Sequence, residues 1–165
     1  MLLVAVDPQG CAWQVVEQAA ELAADLGENV VLMTAIELPE GVGPDVEMHG
    51  GNFEGKTARQ VLVADATRSL DELGDPFRRR DVAVEYHVRE GHCVEAVLDA
   101  AKELKPRMLV LGTHRRKGIK RFFLGSVAEQ ILRRADVPVV TVRSHGGDID
   151  HASAAQSAVA ALADG

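Results

Sequence analysis

The sequence predicts a single-domain α/β protein: a five-stranded parallel sheet covered by helices on both faces. Three observations carry this expectation. Short apolar runs alternate along the chain with segments of helical spacing, the pattern of strand–helix–strand units. Most of the runs are continuous rather than alternating, which suits strands buried on both faces. The length of 165 residues suits one domain with a core of its own.

The first strand is Leu2–Val6, closed by Asp7-Pro8-Gln9-Gly10. Residues 12–26 then take a helical period, with Trp13, Val16, Ala20 and Ala23 on an apolar stripe and Gly27 in the C-cap position. Trp13 is expected in the core. Asn29–Ile36 is the second buried strand. Residues 37–55 hold Pro39, Gly41, Gly43, Pro44, Gly50, Gly51 and Gly55 and predict a long, mobile loop. A second helix carries Ala58, Val61, Leu62, Ala66, Leu70 and Leu73 on one face and ends near Gly74-Asp75-Pro76. Residues 82–88 alternate through Val82, Val84, Tyr86 and Val88, the mark of a half-exposed edge strand. A third helix follows Gly91 and carries Val94, Val97, Leu98, Ala101 and Leu104. The fourth strand, near 107–111, ends at Gly112, a fourth helix runs from Ser126 to Ala135, and the fifth strand covers 137–142. The Ala-, Gly- and Asp-rich residues 144–165 are expected to form a flexible tail outside the domain of residues 1–143; Ala152–Leu162 has the makings of a short, weak helix, but its apolar residues are mostly Ala. Parallel sheets of this kind bind ligands beyond the carboxyl ends of their strands, where the strand order reverses. Asp7 and Gly112 both fall at such ends.

A net charge of −7 argues against a nucleic-acid-binding or membrane-surface protein. The charge is unevenly spread: residues 111–134 hold seven Lys and Arg against Glu129 alone, a local +6 in a remainder of −13. That stretch is either a solvated face or an anion site. Cys11 and Cys93 form no CxxC pair, and reduced thiols in a cytoplasmic protein are the expectation. The first apolar run reaches Asp7 too soon for a signal peptide or a bilayer span. His92-Cys93 lacks partner spacing for a metal, so no metal site is expected.

The informative stretch runs from Leu109 to Glu129: strand, Gly112, a basic loop, Gly125-Ser126, then helix. Ser126 and Glu129 have capping-box spacing. A helix start offers free backbone N–H groups and partial positive charge, a ready phosphate site when a glycine lets the ligand approach. The competing reading is a plain loop glycine and a plain cap. Neither a Walker A loop nor a G-x-G-x-x-G turn is present.

This stretch resembles the nucleotide-binding signature of the universal stress protein family, G-x2-G-x9-G-[ST]. Gly112 matches the first glycine and Gly125-Ser126 the final pair, while Arg115 stands in place of the second glycine. Val4-Ala5-Val6-Asp7, Gly91 and Val137–Val142 fit the wider pattern, and the resemblance spans residues 1–143. Gln9 stands where family members commonly have Ser. The resemblance implies a Rossmann-like α/β/α sandwich of strand order 3-2-1-4-5, ATP as ligand, possible accompanying Mg²⁺, and a homodimer through the fifth strand. It further implies Asp7 and Ala35 beside adenine and ribose, and Leu111 and Gly112 along base and sugar. Gly125, Ser126 and Val127 would hold phosphates, with Arg115 either blocking the site or adding a contact to phosphate.

The expected function is an adenine-nucleotide-binding regulatory or stress-response module. The rival within the same fold is a dimeric interaction module without nucleotide. An ATP pyrophosphatase would want an S-G-G-x-D-S loop after the first strand, where this chain has Asp7-Pro8-Gln9-Gly10-Cys11-Ala12. No catalytic residue is expected, since no nucleophile–base pairing stands out, and activity beyond slow ATP hydrolysis is not anticipated.

Overall fold

The computed structural model describes residues 1–10, 12–49, 51–113, 126–143 and 153–163. Five strands, β1 (Leu2–Ala5), β2 (Val30–Ile36), β3 (Val84–Glu90), β4 (Met108–Thr113) and β5 (Val139–Arg143), form one sheet. All pairings are parallel, and the order is β3-β2-β1-β4-β5, as the resemblance implies.

Alternate residues of the continuous apolar runs supply two cores. Leu2, Val4, Val30, Leu32 and Val110 face α1 (Ala12–Leu26). Leu3, Ala5, Val31, Met33, Leu109 and Leu111 face the other way, onto α4 (Cys93–Leu104) and onto Ile131 of α5 (Ser126–Arg134). A strand covered on both sides has no polar alternation to show. β3, at the edge, is half-exposed along most of its length.

Local chemistry fixes the helix ends. Gly27 takes φ 63° after α1, and the Glu28 N–H donates to the Ala23 carbonyl at 2.9 Å, closing the helix in the left-handed manner open to glycine. α2 (Ala58–Leu73) opens with a capping box between Thr57 and Gln60. Its end passes directly into a single turn, α3 (Asp75–Arg78), started by Pro76 and buried through Phe77; this turn has no periodic signal in the sequence. Trp13 is not a core residue: it is 48% exposed. The buried stripe of α1 passes through Val15, Val16, Ala19, Ala20 and Ala23, off the Trp13 direction. The Trp13 indole lies 6.0 Å from the Arg79 guanidinium instead.

Two segments are more structured than the sequence suggests. Between β2 and α2, Val42 and Met48 are buried, Glu47 bridges to Thr57, and the Met48 N–H donates to the Lys56 carbonyl at 2.8 Å. Residues 153–163 differ from the expected flexible tail. They form α6 (Ala154–Ala160), opened by a Ser153–Gln156 capping box. Ala155 and Val159 are buried against Ile36, Val42, Leu62 and Ala66. Among the described residues no helix is long and apolar enough to cross a membrane.

Candidate functional site

β1 lies between β2 and β4, so the crossovers leave it in opposite directions and a crevice opens at its carboxyl end. A cavity of about 440 Å³ occupies that crevice. Its lining includes Asp7, Thr34, Ala35, Leu111, Gly112 and Val127. Five of the residues singled out from the sequence therefore meet on one surface. An adjoining cavity of about 450 Å³ runs towards Leu62 and Asp65 of α2. The two share Asp7, Gln9, Thr34, Ala35 and Gln156.

Asp7 follows β1 and is exposed. Its Oδ1 accepts the Gln9 N–H at 3.0 Å, and its carbonyl accepts the Gly10 N–H at 3.0 Å. This turn fixes one carboxylate oxygen and sets the group at the cavity. Ala35 lies in β2, opposite Arg89 of β3. Leu111 pairs in register with Ala5 and is 4% exposed. Gly112 brings β4 against α1: a Cβ there would stand 2.8 Å from Val15 Cγ2.

Ser126 is the first residue of α5 and is exposed. Its neighbour Val127 is also exposed and lines the cavity. A helix therefore begins beside the crevice. Glu129 does not take up the expected reciprocal cap; its Oε1 accepts from Arg133 Nη2 at 2.8 Å. Arg115 and Gly125 lie outside the described residues, as does the rest of the basic loop.

Sequence reasoning passed over Thr34 and Gln156. Thr34 is a buried polar residue at 5% exposure, and its signal is a lone hydroxyl inside the run Val30–Ile36. The signal for Gln156 is the spacing Ser153-x-x-Gln156, a capping box in a segment of otherwise weak pattern. Cys93, at the start of α4, also lines the cavity. Burial pushes its thiol above the ordinary value, and the Asp7, Glu37 and Glu95 carboxylates add to the shift. Cys93 is a free thiol. Beside it, Arg134 first and then His92 hold the Glu95 carboxyl below its ordinary value.

Comparison with known proteins gives one consistent result. The model of the universal stress protein family matches residues 1–143. A universal stress protein of Methanocaldococcus jannaschii is 22% identical over 142 residues, covering 86% of this chain and 81% of the relative. The structure of the universal stress protein from Archaeoglobus fulgidus in complex with dAMP superposes with a TM-score of 0.59 at 23% identity, over 85% of this chain and 94% of that one. A universal stress protein in complex with cAMP superposes with a TM-score of 0.60 at 21% identity, over 87% of this chain and 96% of the other.

Proposed function

We propose that this chain, which belongs to the universal stress protein family, is a regulatory module that binds an adenine nucleotide, ATP in particular, in the crevice beyond β1 and β4. The carrying observation is the meeting of Asp7, Ala35, Leu111, Gly112 and Val127 on one cavity of about 440 Å³, within the range of small-molecule sites. The cavity fits the group. Ala35 and Leu111 supply apolar wall for a base, Asp7 and Thr34 supply polar groups for a ribose, and α5 begins beside it at Ser126 and Val127 for phosphate. The dAMP and cAMP complexes of two relatives of the same fold support the choice of nucleotide class.

Regulation without catalysis is the reading for the module as a whole: nucleotide occupancy changes its conformation or its choice of partner. A second copy is one such partner, paired through β5. Val139, Val140 and Val142 are half-buried on that strand, and α6 packs on the α2 side of the sheet, away from it. An apolar edge strand of this kind favours pairing. A cytoplasmic location goes with this reading.

One observation favours the rival, a nucleotide-free interaction module. Gly112 is accounted for by its approach to Val15, so its presence does not require a ligand. Titrating ATP into the protein separates the two. The nucleotide reading expects saturable binding, weakened about 10- to 100-fold by Ser126→Ala, because a hydrogen bond to a charged group contributes about 1.5–3 kcal/mol. No binding of ATP, ADP or AMP at millimolar concentration refutes it. Arg115→Gly decides the part of Arg115: weaker binding assigns it a phosphate contact, tighter binding an obstructing role.

A further inference from the structure

The C-terminal helix α6 lies beyond residues 1–143, the part of the chain that the family model matches. It nevertheless forms part of the crevice, because Gln156 lines both cavities. Its docking is apolar and specific. Ala155 and Val159 are buried in a cluster built from Ile36 at the end of β2, Val42 and Met48 of the following loop, and Ala58, Leu62 and Ala66 of α2. The helix borders the crevice without filling it, since cavities of about 450 and 440 Å³ remain open with α6 in place.

The hydrogen bonds of Gln156 give it a direction. Its Oε1 accepts the Ser153 N–H at 3.2 Å, closing the capping box. The same oxygen accepts from Gln9 Nε2. Both acceptor contacts therefore fall on Oε1, and among the described residues no acceptor takes Gln156 Nε2. Gln9 belongs to the turn after β1, where its N–H donates to Asp7 Oδ1 at 3.0 Å. Its side-chain amide spans from that turn to α6, and its partner exists only because α6 is there.

Building on the nucleotide reading above, we propose that α6 is a wall of the ligand site and that Gln156, held by Gln9, donates a hydrogen bond from Nε2 to the nucleoside end of the bound nucleotide. Asp7 then accepts from the same end while Gln156 donates to it, so a ribose or base edge carrying both donors and acceptors is the matching chemistry. Docking of α6 and binding of nucleotide are linked, and each favours the other by the same factor.

The test uses the full chain and ATP. Gln156→Glu keeps an acceptor for the Ser153 N–H, since Glu and Gln both close a capping box, but it replaces the Nε2 donor with an oxygen beside Asp7. ATP affinity, thermal midpoint and hydrogen exchange of residues 154–160 are measured for wild type, Gln156→Glu and Gln9→Ser. The expected result is an ATP affinity at least about 3- to 10-fold weaker in Gln156→Glu, from one lost hydrogen bond, with a thermal midpoint close to wild type. Gln9→Ser weakens binding by less. In the wild type, exchange across α6 slows when ATP is added. Wild-type affinity in Gln156→Glu, or α6 exchange that ignores ATP while residues 5–9 and 109–113 become protected, overturns the inference and leaves the nucleotide site standing. Absence of any ATP binding by the wild type refutes both.

Discussion

Gly112 offers the sharpest test of how this site is built. Its φ is not in the left-handed region, and a Cβ added there would stand 2.8 Å from Val15 Cγ2. Gly112→Ala therefore carries no backbone strain, and its whole cost is the contact. Val15 is only 2% exposed and sits in the core between α1 and the sheet. A β-branched side chain has one favoured rotamer in a helix, so it has little room to turn away. Overpacking of this kind costs about 1–3 kcal/mol, which lowers the thermal midpoint of a domain this size by about 2–12 °C. Val15→Ala alone removes buried methyl groups, at a cost of about 1.5–3 kcal/mol from lost burial and the space left behind. The two changes compensate, because the removed methyl is the one the new Cβ would strike. Urea denaturation of both single variants and the double variant should show the double costing less than the sum by about 1 kcal/mol or more. Strict additivity, or a Gly112→Ala variant as stable as wild type, refutes the packing account and returns Gly112 to a role in ligand approach alone.

Two further outcomes follow from the electrostatics and the sheet edge. The Met1 ammonium first and then Arg107 hold the Glu28 carboxyl below its ordinary value of 4.5, as Arg134 and His92 do for Glu95. A lowered carboxyl contributes stability that is fully present above about pH 4.5 and is lost as pH falls through the folded-state value; urea midpoints of Glu28→Gln and Glu95→Gln should therefore fall less steeply than wild type below that pH, and parallel curves refute the assignment. The proposed pairing through β5 predicts twice the monomer mass by light scattering, and a monomer at micromolar concentration refutes it.

Most of the sheet was legible because burial on both faces leaves an unmistakable trace. Leu2–Ala5 and Val30–Ile36 have almost nothing polar in them, and only a strand between two helical layers tolerates that. The crevice was legible through Asp7 and Gly112, which sit where two such runs stop. What escaped was settled by contacts distant in sequence. α3 is one turn long and owes its place to Phe77 in the core. Trp13 belongs by type to the interior, yet Arg79, brought near by α3, gives it a cationic neighbour at the surface. The buried face of α6 is one alanine and one valine, Ala155 and Val159, too weak a pattern to separate from a solvated tail. Its docking becomes evident only from the cluster in which Ala155 and Val159 meet Ile36, Val42 and Leu62, all distant in sequence.

The two ends of the sheet divide the work. At the amino ends, Arg107 Nη1 donates to Glu28 Oε1 at 2.9 Å and the Met1 ammonium pairs with the same carboxylate. The Leu2 N–H reaches the Asn29 carbonyl at 2.8 Å, and the Arg107 N–H the Met1 carbonyl at 2.9 Å. These contacts tie the starts of β1, β2 and β4 together. At the carboxyl ends the balance is different. Asp7, Glu37 and Asp65 line the crevice on the β2 and α2 side, an arrangement that repels phosphate. The first turn of α5 stands on the opposite side, next to Val127, and the cationic residues 115–121 enter the chain immediately before it. On the proposed nucleotide reading, one orientation is favoured: the nucleoside towards Asp7, Thr34 and Gln156, and the phosphates towards Ser126. The reverse pose would turn phosphate charge towards Asp7 and Glu37, with Asp65 already paired to Arg68, and like charges repel. On that reading, charge sorting across the crevice, more than any single contact, selects which end of the nucleotide meets which wall.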